Sequence, residues 1–172
     1  MKHLKYCPKC GQETLIFDGE KKFSCSQCDF VMYQNIAAAV AVLIRCEDEL
    51  LLTKRNQNPK IGKLDLAGGF TDPKESAEET CARELKEELG IDTEISEKFS
   101  FIYKADVGGN LWEHELDHVF VGNYEGDFQL NLEEVAEVRY ISMENLDQEM
   151  KQNPEHFTEW FKIILEEYKH HL

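Results

Sequence analysis

Three glutamates, Glu84, Glu87 and Glu88, stand three and four positions apart in a segment, Ser76 to Leu89, that holds neither proline nor glycine. At that spacing they are neighbours on one helix surface, where each like-charge pair costs roughly a few tenths of a kcal/mol. A bound cation removes that penalty. Mg²⁺ suits such a ridge, because it binds through one or two carboxylates and leaves its other positions to water and substrate phosphate. The chemistry this spacing supports is metal-assisted attack on a diphosphate; the ordinary alternative is a solvated acidic helix face.

Four cysteines form a second constellation: Cys7 and Cys10, then fourteen residues, then Cys25 and Cys28. Each pair turns two thiolates toward one point, and two pairs complete the tetrahedron that Zn²⁺ prefers. With all four positions filled by protein, such a metal is closed to substrate and contributes folding energy. A unit of about thirty residues has too little core to fold otherwise. Disulfides are the alternative, favoured in oxidising compartments.

The elements that position these groups follow from periodicity. Ala77, Cys81, Leu85 and Leu89 recur every four residues, which predicts an amphipathic helix over Ser76–Leu89 with this stripe buried. Leu64 to Ala67 predicts a short strand entering a turn at Gly68 and Gly69. The apolar runs 37–46 and 50–55 predict two strands buried on both faces around a turn at Glu47–Glu49. Phe99–Ala105, Trp112–Asn123 and Glu137–Ile141 read as further strands, the first two joined through Val107–Asn110. Met143–Asn153 and Phe157–Lys169 read as helices divided by Pro154. His114 and His118 spell the HExxH zinc signature, but the alternation around them predicts a strand, in which they lie about 13 Å apart. Cys46 and Cys81 read as small core residues.

The stretch Gly69 to Ile91 resembles the Nudix box, a glycine followed after five residues by glutamate and after seven more by Arg-Glu-U-x-Glu-Glu-x-Gly-U, with U apolar. Gly69, Glu75, Arg83, Glu84, Leu85, Glu87, Glu88, Gly90 and Ile91 fill every fixed place, a far more specific match than a short motif. The resemblance implies a MutT-like hydrolase of a nucleoside diphosphate derivative. It implies Mg²⁺ or Mn²⁺ held by Glu84, Glu87, Glu88 and a carbonyl near Gly69, and a bracing pair of Glu75 with Arg83. It also implies an α/β fold, the α/β/α Nudix sandwich with a mixed sheet, over residues 35–172, with the zinc ribbon at 1–34 before it. The general base in this fold is often a later carboxylate. Glu113, Glu115, Glu133 and Glu134 are available, and Glu115 and Glu134 are the expected choices besides Glu87 and Glu88.

Two further resemblances bear on the reaction. Trp112–His118 and Asn153–Leu165 are similar to the second half of type I isopentenyl-diphosphate isomerase, where the first glutamate of a Glu-His-Glu triplet serves in metal binding and acid–base work; Glu113 is its match. That isomerase carries a cysteine on the strand before a degenerate box, whereas this chain has Asp65-Leu66-Ala67-Gly68-Gly69 before a complete one. A zinc ribbon joined to a Nudix domain also resembles NADH pyrophosphatase, without that group's SQPW-type motif. The expected substrates are therefore NADH or ADP-ribose-like compounds, nucleoside triphosphates or isoprenoid diphosphates; an isomerase and a non-catalytic nucleotide sensor are the alternatives. Phe70, Tyr103 and Trp112 are placed to serve as base platforms, although large aromatics ordinarily sit in cores.

Charge and composition set the partners. Nineteen basic residues against 34 acidic ones leave a net charge of −15, which opposes nucleic acid and anionic membrane surfaces. Lys9, Lys21 and Lys22 in the ribbon do not reverse that sign, so a structural or docking role is expected for it. No apolar signal stretch opens Met1–Tyr6 and no run approaches the length of a membrane helix, which predicts cytoplasmic residence. Phe157, Trp160, Phe161, Ile164 and Leu165 are apolar positions for the chain's own core or for a homodimer.

Overall fold

The N-terminal cysteines sit in turns beside a small sheet, with Cys25 at the end of its central strand. In the computed structural model, which describes residues 4–33, 37–108 and 111–169, β1 (Leu15–Phe17), β2 (Lys22–Cys25) and β3 (Val31–Tyr33) form an antiparallel sheet in the order β1-β2-β3. Phe23 is fully buried at its centre, with its ring 4.5 Å from that of Phe17. The chain divides into two compact units, Met1–Ile36 and Ala37–Leu172. Parts of the expected junction and of the expected turn over Val107–Asn110, together with Met1–His3 and residues 170–172, lie outside the described residues.

In the second unit the apolar runs form β4 (Ala38–Cys46) and β5 (Glu49–Arg55), followed by β6 (Leu64–Asp65) and β7 (Ala67–Phe70). After helix α1 (Ala77–Glu84) come β8 (Ile95–Gly108), β9 (Leu111–Asn123), β10 (Val135–Ser142), α2 (Met143–Gln152) and α3 (Glu159–Tyr168). The sheet runs β10-β5-β4-β9-β8, with β6 on β5 and β7 on β4. β4 and β9 are parallel and the other pairs antiparallel, so the sheet is mixed.

Each face of this sheet is covered. Cys81, Leu85 and Leu89 bury the α1 stripe against Val40, Val42, Ala67 and Phe120. On the other face Leu146 and Met150 of α2 and Phe161, Ile164 and Leu165 of α3 pack on Leu43, Leu52, Tyr103 and Val119. Full burial of a side chain such as Phe161 contributes about 1.5–3 kcal/mol, and it places the apolar positions of the last helix in their own core. The result is the α/β/α sandwich. Among the described residues no helix is long and apolar enough to cross a membrane.

Four local expectations change. Gly68 and Gly69 are not a turn but lie within β7, paired with Ala41 and Val40; glycine serves close packing there. The box helix is α-helical only to Glu84 and continues as a π turn over Leu85–Leu89, ending at Gly90. A strict four-residue stripe overshoots a turn of 3.6 residues, and the wider turn keeps Leu85 and Leu89 facing the core. β8 begins at Ile95 rather than Phe99, because Ile95, Ser96 and Glu97 are held by cross-strand pairing with Gly122, Val121 and Phe120. Phe157 bridges to Leu64, and α3 starts two residues later, after Thr158.

Candidate functional site

The start of α1 is fixed by a capping box. The Ser76 side chain accepts from the Glu79 N–H, and the Glu79 carboxylate accepts from the Ser76 N–H at 2.8 Å. Pinning the first turn fixes the direction in which Glu84 and Glu88 point. Both are buried, and with Glu134 they bring one carboxylate oxygen each to within 4.8 Å of the others. Glu134 comes from the loop before β10. The Asn131 N–H bonds the Glu88 carbonyl at 3.0 Å and the Gln129 N–H bonds the Leu89 carbonyl at 2.8 Å, so the end of the box helix holds that loop. The side chains of Asn131 and Gln57 then donate to the Glu134 carboxylate at 3.1 and 3.2 Å.

The electrostatics of this group favour a cation. Burial pushes Glu88 well above the usual carboxylate range, Glu84 adds its charge, and the Gly68 N–H at 3.2 Å opposes them. Burial likewise raises Glu84, against the pull of Arg83. Acids that repel one another in a dry site are relieved by a divalent ion, and an all-oxygen set suits Mg²⁺ or Mn²⁺. The glycines leave the necessary room. A Cβ on Gly69 would stand 2.6 Å from the Glu84 carboxylate, and one on Gly68, at φ 146°, would stand 2.0 Å from the Val40 carbonyl oxygen.

Arg83 ties the loop to the helix. It donates to Glu75 at 2.9 and 3.1 Å, to Glu84 at 2.7 Å, to Glu87 at 3.1 Å and to the Phe70 carbonyl at 3.0 Å. The Arg83 bonds hold the Glu75 carboxyl below its usual range. Glu87 is half-exposed and turned toward Arg83, so it stands apart from the convergent oxygens of Glu84, Glu88 and Glu134.

Glu115 lies elsewhere. β9 places Glu113, Glu115 and Asp117 on the face that also carries Val119, toward α3 and away from α1. The Tyr103 hydroxyl donates to Glu113 at 3.0 Å and faces Glu115 at 3.5 Å. Burial, then the charges of Glu113 and Asp117, pushes Glu115 up to about 8; burial, then Asp65 and Glu113, pushes Asp117 up to about 7. Asp65 is buried and accepts from Leu66 N–H, Thr158, Trp160 and Arg55 at 2.8–3.1 Å. Its charge raises Glu88 as well as Glu113 and Asp117, so it couples the two acidic groups. Sequence reasoning missed Asp65 and Asp117. The available signals were an acid inside the apolar run LDLA and a third acid in step with Glu113 and Glu115. The HExxH histidines are in a strand, and His118 bonds Glu97 at 2.7 Å. Tyr103 is buried, whereas Phe70 and Trp112 are exposed.

The four ribbon cysteines are free thiols whose sulfurs lie within 4.8 Å of one another, with Cys7–Cys28 at 3.6 Å and Cys10–Cys25 at 3.8 Å. A tetrahedron with 2.3 Å zinc–sulfur arms has edges of about 3.8 Å, so the donor set fits Zn²⁺. The Thr14 hydroxyl lies 3.0 Å from the Cys25 sulfur, at the edge of this cluster.

A mixed sheet between helix layers, with three carboxylates gathered beside a glycine strand, defines an α/β/α domain with a candidate cation site. The sequence model of the NUDIX domain matches residues 34–161, and the chain belongs to that family. Isopentenyl-diphosphate Delta-isomerase 2 of Aromatoleum aromaticum is 35% identical over 94 residues, 55% of this chain and 50% of the relative. The chain thus spans about half the length of that relative. Against isopentenyl-diphosphate Delta-isomerase of Cereibacter sphaeroides it is 34% identical over 142 residues, 76% of this chain and 77% of the other. The MutT protein of Methanosarcina mazei Go1 superposes with a TM-score of 0.63 at 27% identity, covering 79% of this chain and 94% of that structure.

Proposed function

We propose that the chain is a divalent-cation-dependent hydrolase that cleaves the phosphoanhydride of a nucleoside diphosphate derivative, of the NADH, ADP-ribose or nucleoside triphosphate kind. The observation that carries this reading is the convergence of Glu84, Glu88 and Glu134 within 4.8 Å. Mg²⁺ or Mn²⁺ would be held by Glu84 and Glu88, with the Gly69 carbonyl as a further contributor and Glu87, turned toward Arg83, holding water near the ion. Such an ion neutralises a diphosphate, polarises the attacked phosphorus and lowers the pKa of a bound water. Glu134, the least buried of the three and oriented by Asn131 and Gln57, takes the water's proton in this reading. Arg83 and Glu75 keep the loop closed on the helix. Zn²⁺ on Cys7, Cys10, Cys25 and Cys28 is structural, in a ribbon over 1–34 that precedes a catalytic domain over 35–172. Reduced thiols of this kind fit a cytoplasmic protein.

A second reading is supported by the names of the isomerase relatives and by the Tyr103-bridged pair Glu113 and Glu115. Glu115, pushed up to about 8, keeps its proton near neutral pH as protonation of an alkene requires, and would be catalytic there. β7 carries Ala67, Gly68 and Gly69 and no cysteine, which favours hydrolysis.

Phosphate release with Mg²⁺, over a panel of NADH, ADP-ribose, nucleoside triphosphates and isopentenyl diphosphate, tests the choice. Cleavage of one class that falls at least a hundredfold in Glu88→Gln is expected. A silent panel together with allylic isomer formation from isopentenyl diphosphate would establish the isomerase instead.

A further inference from the structure

The apolar positions of the last helix are buried in the protein's own core, yet one large apolar side chain stands in solvent where a sheet is most ready to pair. Among the described residues the seven-stranded sheet ends at β8, so the outer side of that strand has no neighbouring strand. β8 is 14 residues long, and between its two bulges, at Glu97/Phe99 and Asp106/Gly108, it keeps unbroken register with β9 from Phe99 to Asp106. Ile102 lies near the middle of this stretch and is 69% exposed. A long edge with an exposed isoleucine at its centre is a template for another strand.

Charges ordinarily protect such an edge, and here they are placed to favour one partner. Glu97 is held by His118 at 2.7 Å, and the Lys104 ammonium is turned back over the Trp112 ring, 5.1 Å from its centroid. Lys98 and Asp106 remain, of opposite sign and each four residues from Ile102. The Asp106 carboxylate accepts from the Gly108 N–H at 2.8 Å, which fixes it at the end of the regular stretch. Residues directly opposed in an antiparallel pair point to one face, so two copies of β8 can meet about a twofold axis only in registers that keep the faces aligned. Centring the axis on Ile102 sets that residue against its own counterpart, Ser100 against the partner's Lys104 and Lys98 against the partner's Asp106. Centring it on Phe101 sets Lys98 against the partner's Lys104, and centring it on Tyr103 sets Ile102 against that lysine. On the opposite face the first register places Phe101 beside the partner's Tyr103, which continues the buried layer under α3.

We propose that β8 is a homodimer interface, in which the edges of two copies pair antiparallel about a twofold axis through Ile102 and join their sheets into one. Such an interface is isologous, so each residue of the edge serves the same contact in both copies. It needs neither metal nor substrate. Glu84, Glu88 and Glu134 come from α1, its π turn and the loop before β10, none of them on β8, so the pairing stands or falls independently of hydrolysis.

Sedimentation equilibrium of the full chain over a concentration series tests the pairing, at an ionic strength high enough to screen the net charge of −15. A reversible monomer–dimer equilibrium is expected in the wild type, at least tenfold weaker in Ile102→Glu, which sets two carboxylates against each other on the axis. Because Ile102 is exposed, the melting temperature of that variant should stay within about 2 °C of the wild type. Register is read by oxidative cross-linking. Ile102→Cys should give a covalent dimer under mild oxidation, since directly opposed Cα atoms lie about 4.5–5.5 Å apart, within disulfide reach. Ser100→Cys should not, because the same register holds it about 13 Å along the strands from its own counterpart. The wild type, with its six cysteines, gives the background. A chain that sediments as a monomer at every concentration, a dimer unweakened in Ile102→Glu, or cross-linking of Ser100→Cys as fast as Ile102→Cys would overturn the proposal.

Discussion

Replacing Asp117 with Asn should flatten the dependence of stability on pH. Asp117 is 3% exposed, its Oδ1 has no hydrogen-bond partner, and its carboxyl is pushed from 3.8 to about 7 by burial and by Asp65 and Glu113. In the unfolded chain it loses its proton near 3.8, in the folded protein near 7, so between those values the folded state is the better proton binder. Its stability contribution is therefore full at low pH and is lost as pH rises through that window. Each pH unit there costs about 1.4 kcal/mol, so complete ionisation costs on the order of 4 kcal/mol. Roughly half of that falls between pH 5.5 and 8.5. Glu113, Glu115 and Asp65 share the site, and removing one charge eases their ionisation, which reduces the difference. Urea unfolding of wild type and Asp117→Asn at pH 5.5, 7 and 8.5 should show the variant gaining about 1–2 kcal/mol on the wild type across the range. Parallel profiles for the two proteins would refute the reasoning, since the cost of the buried charge would then lie outside Asp117.

Gly68 and the first box residue, Gly69, make a paired prediction. Gly69→Ala sets a methyl group against the flexible end of Glu84, so it should cost under about 2 kcal/mol of stability while raising the Mg²⁺ needed for half-maximal activity at least tenfold. Gly68→Ala meets the Val40 backbone at a positive φ, so it should cost more than about 3 kcal/mol or prevent folding; urea midpoints and metal activation curves separate the two. Zinc removal by a chelator should release one ion per chain. It should abolish hydrogen-exchange protection in β1, β2 and β3 while leaving β4 and β9 protected, because the small sheet has little core beyond Phe23 and Phe17.

Much of this site is local and therefore legible in the chain. The apolar stripe turns a helix over Ser76–Leu89, and the i, i+3 and i, i+4 spacings put Glu84, Glu87 and Glu88 on neighbouring positions; all of that follows from backbone geometry over fewer than twenty residues. The cysteine pairs are likewise local, and so is the alternation that made His114 and His118 strand residues. Helix spacing alone, however, did not separate Glu87 from Glu88. The π turn and the grip of Arg83 leave Glu88 inside and Glu87 half-exposed.

Other outcomes depended on which distant segments return to meet the box. Glu115 and Glu134 were equal candidates in sequence. The loop before β10 is tied to Glu88 and Leu89 by two backbone bonds, which brings Glu134 to the box glutamates, while the pleat of β9 turns Glu115 to the opposite face with Glu113 and Asp117. Asp65 looked like one acid in a short apolar strand until Arg55, Thr158 and Trp160 closed around it. The sequence by itself determined the box helix, the four-thiol set and the sandwich; the tertiary structure decided the third carboxylate and the second acidic group. Helix and strand periods fix directions only along their own element, whereas contacts between residues scores of positions apart depend on how the sheet and its loops close.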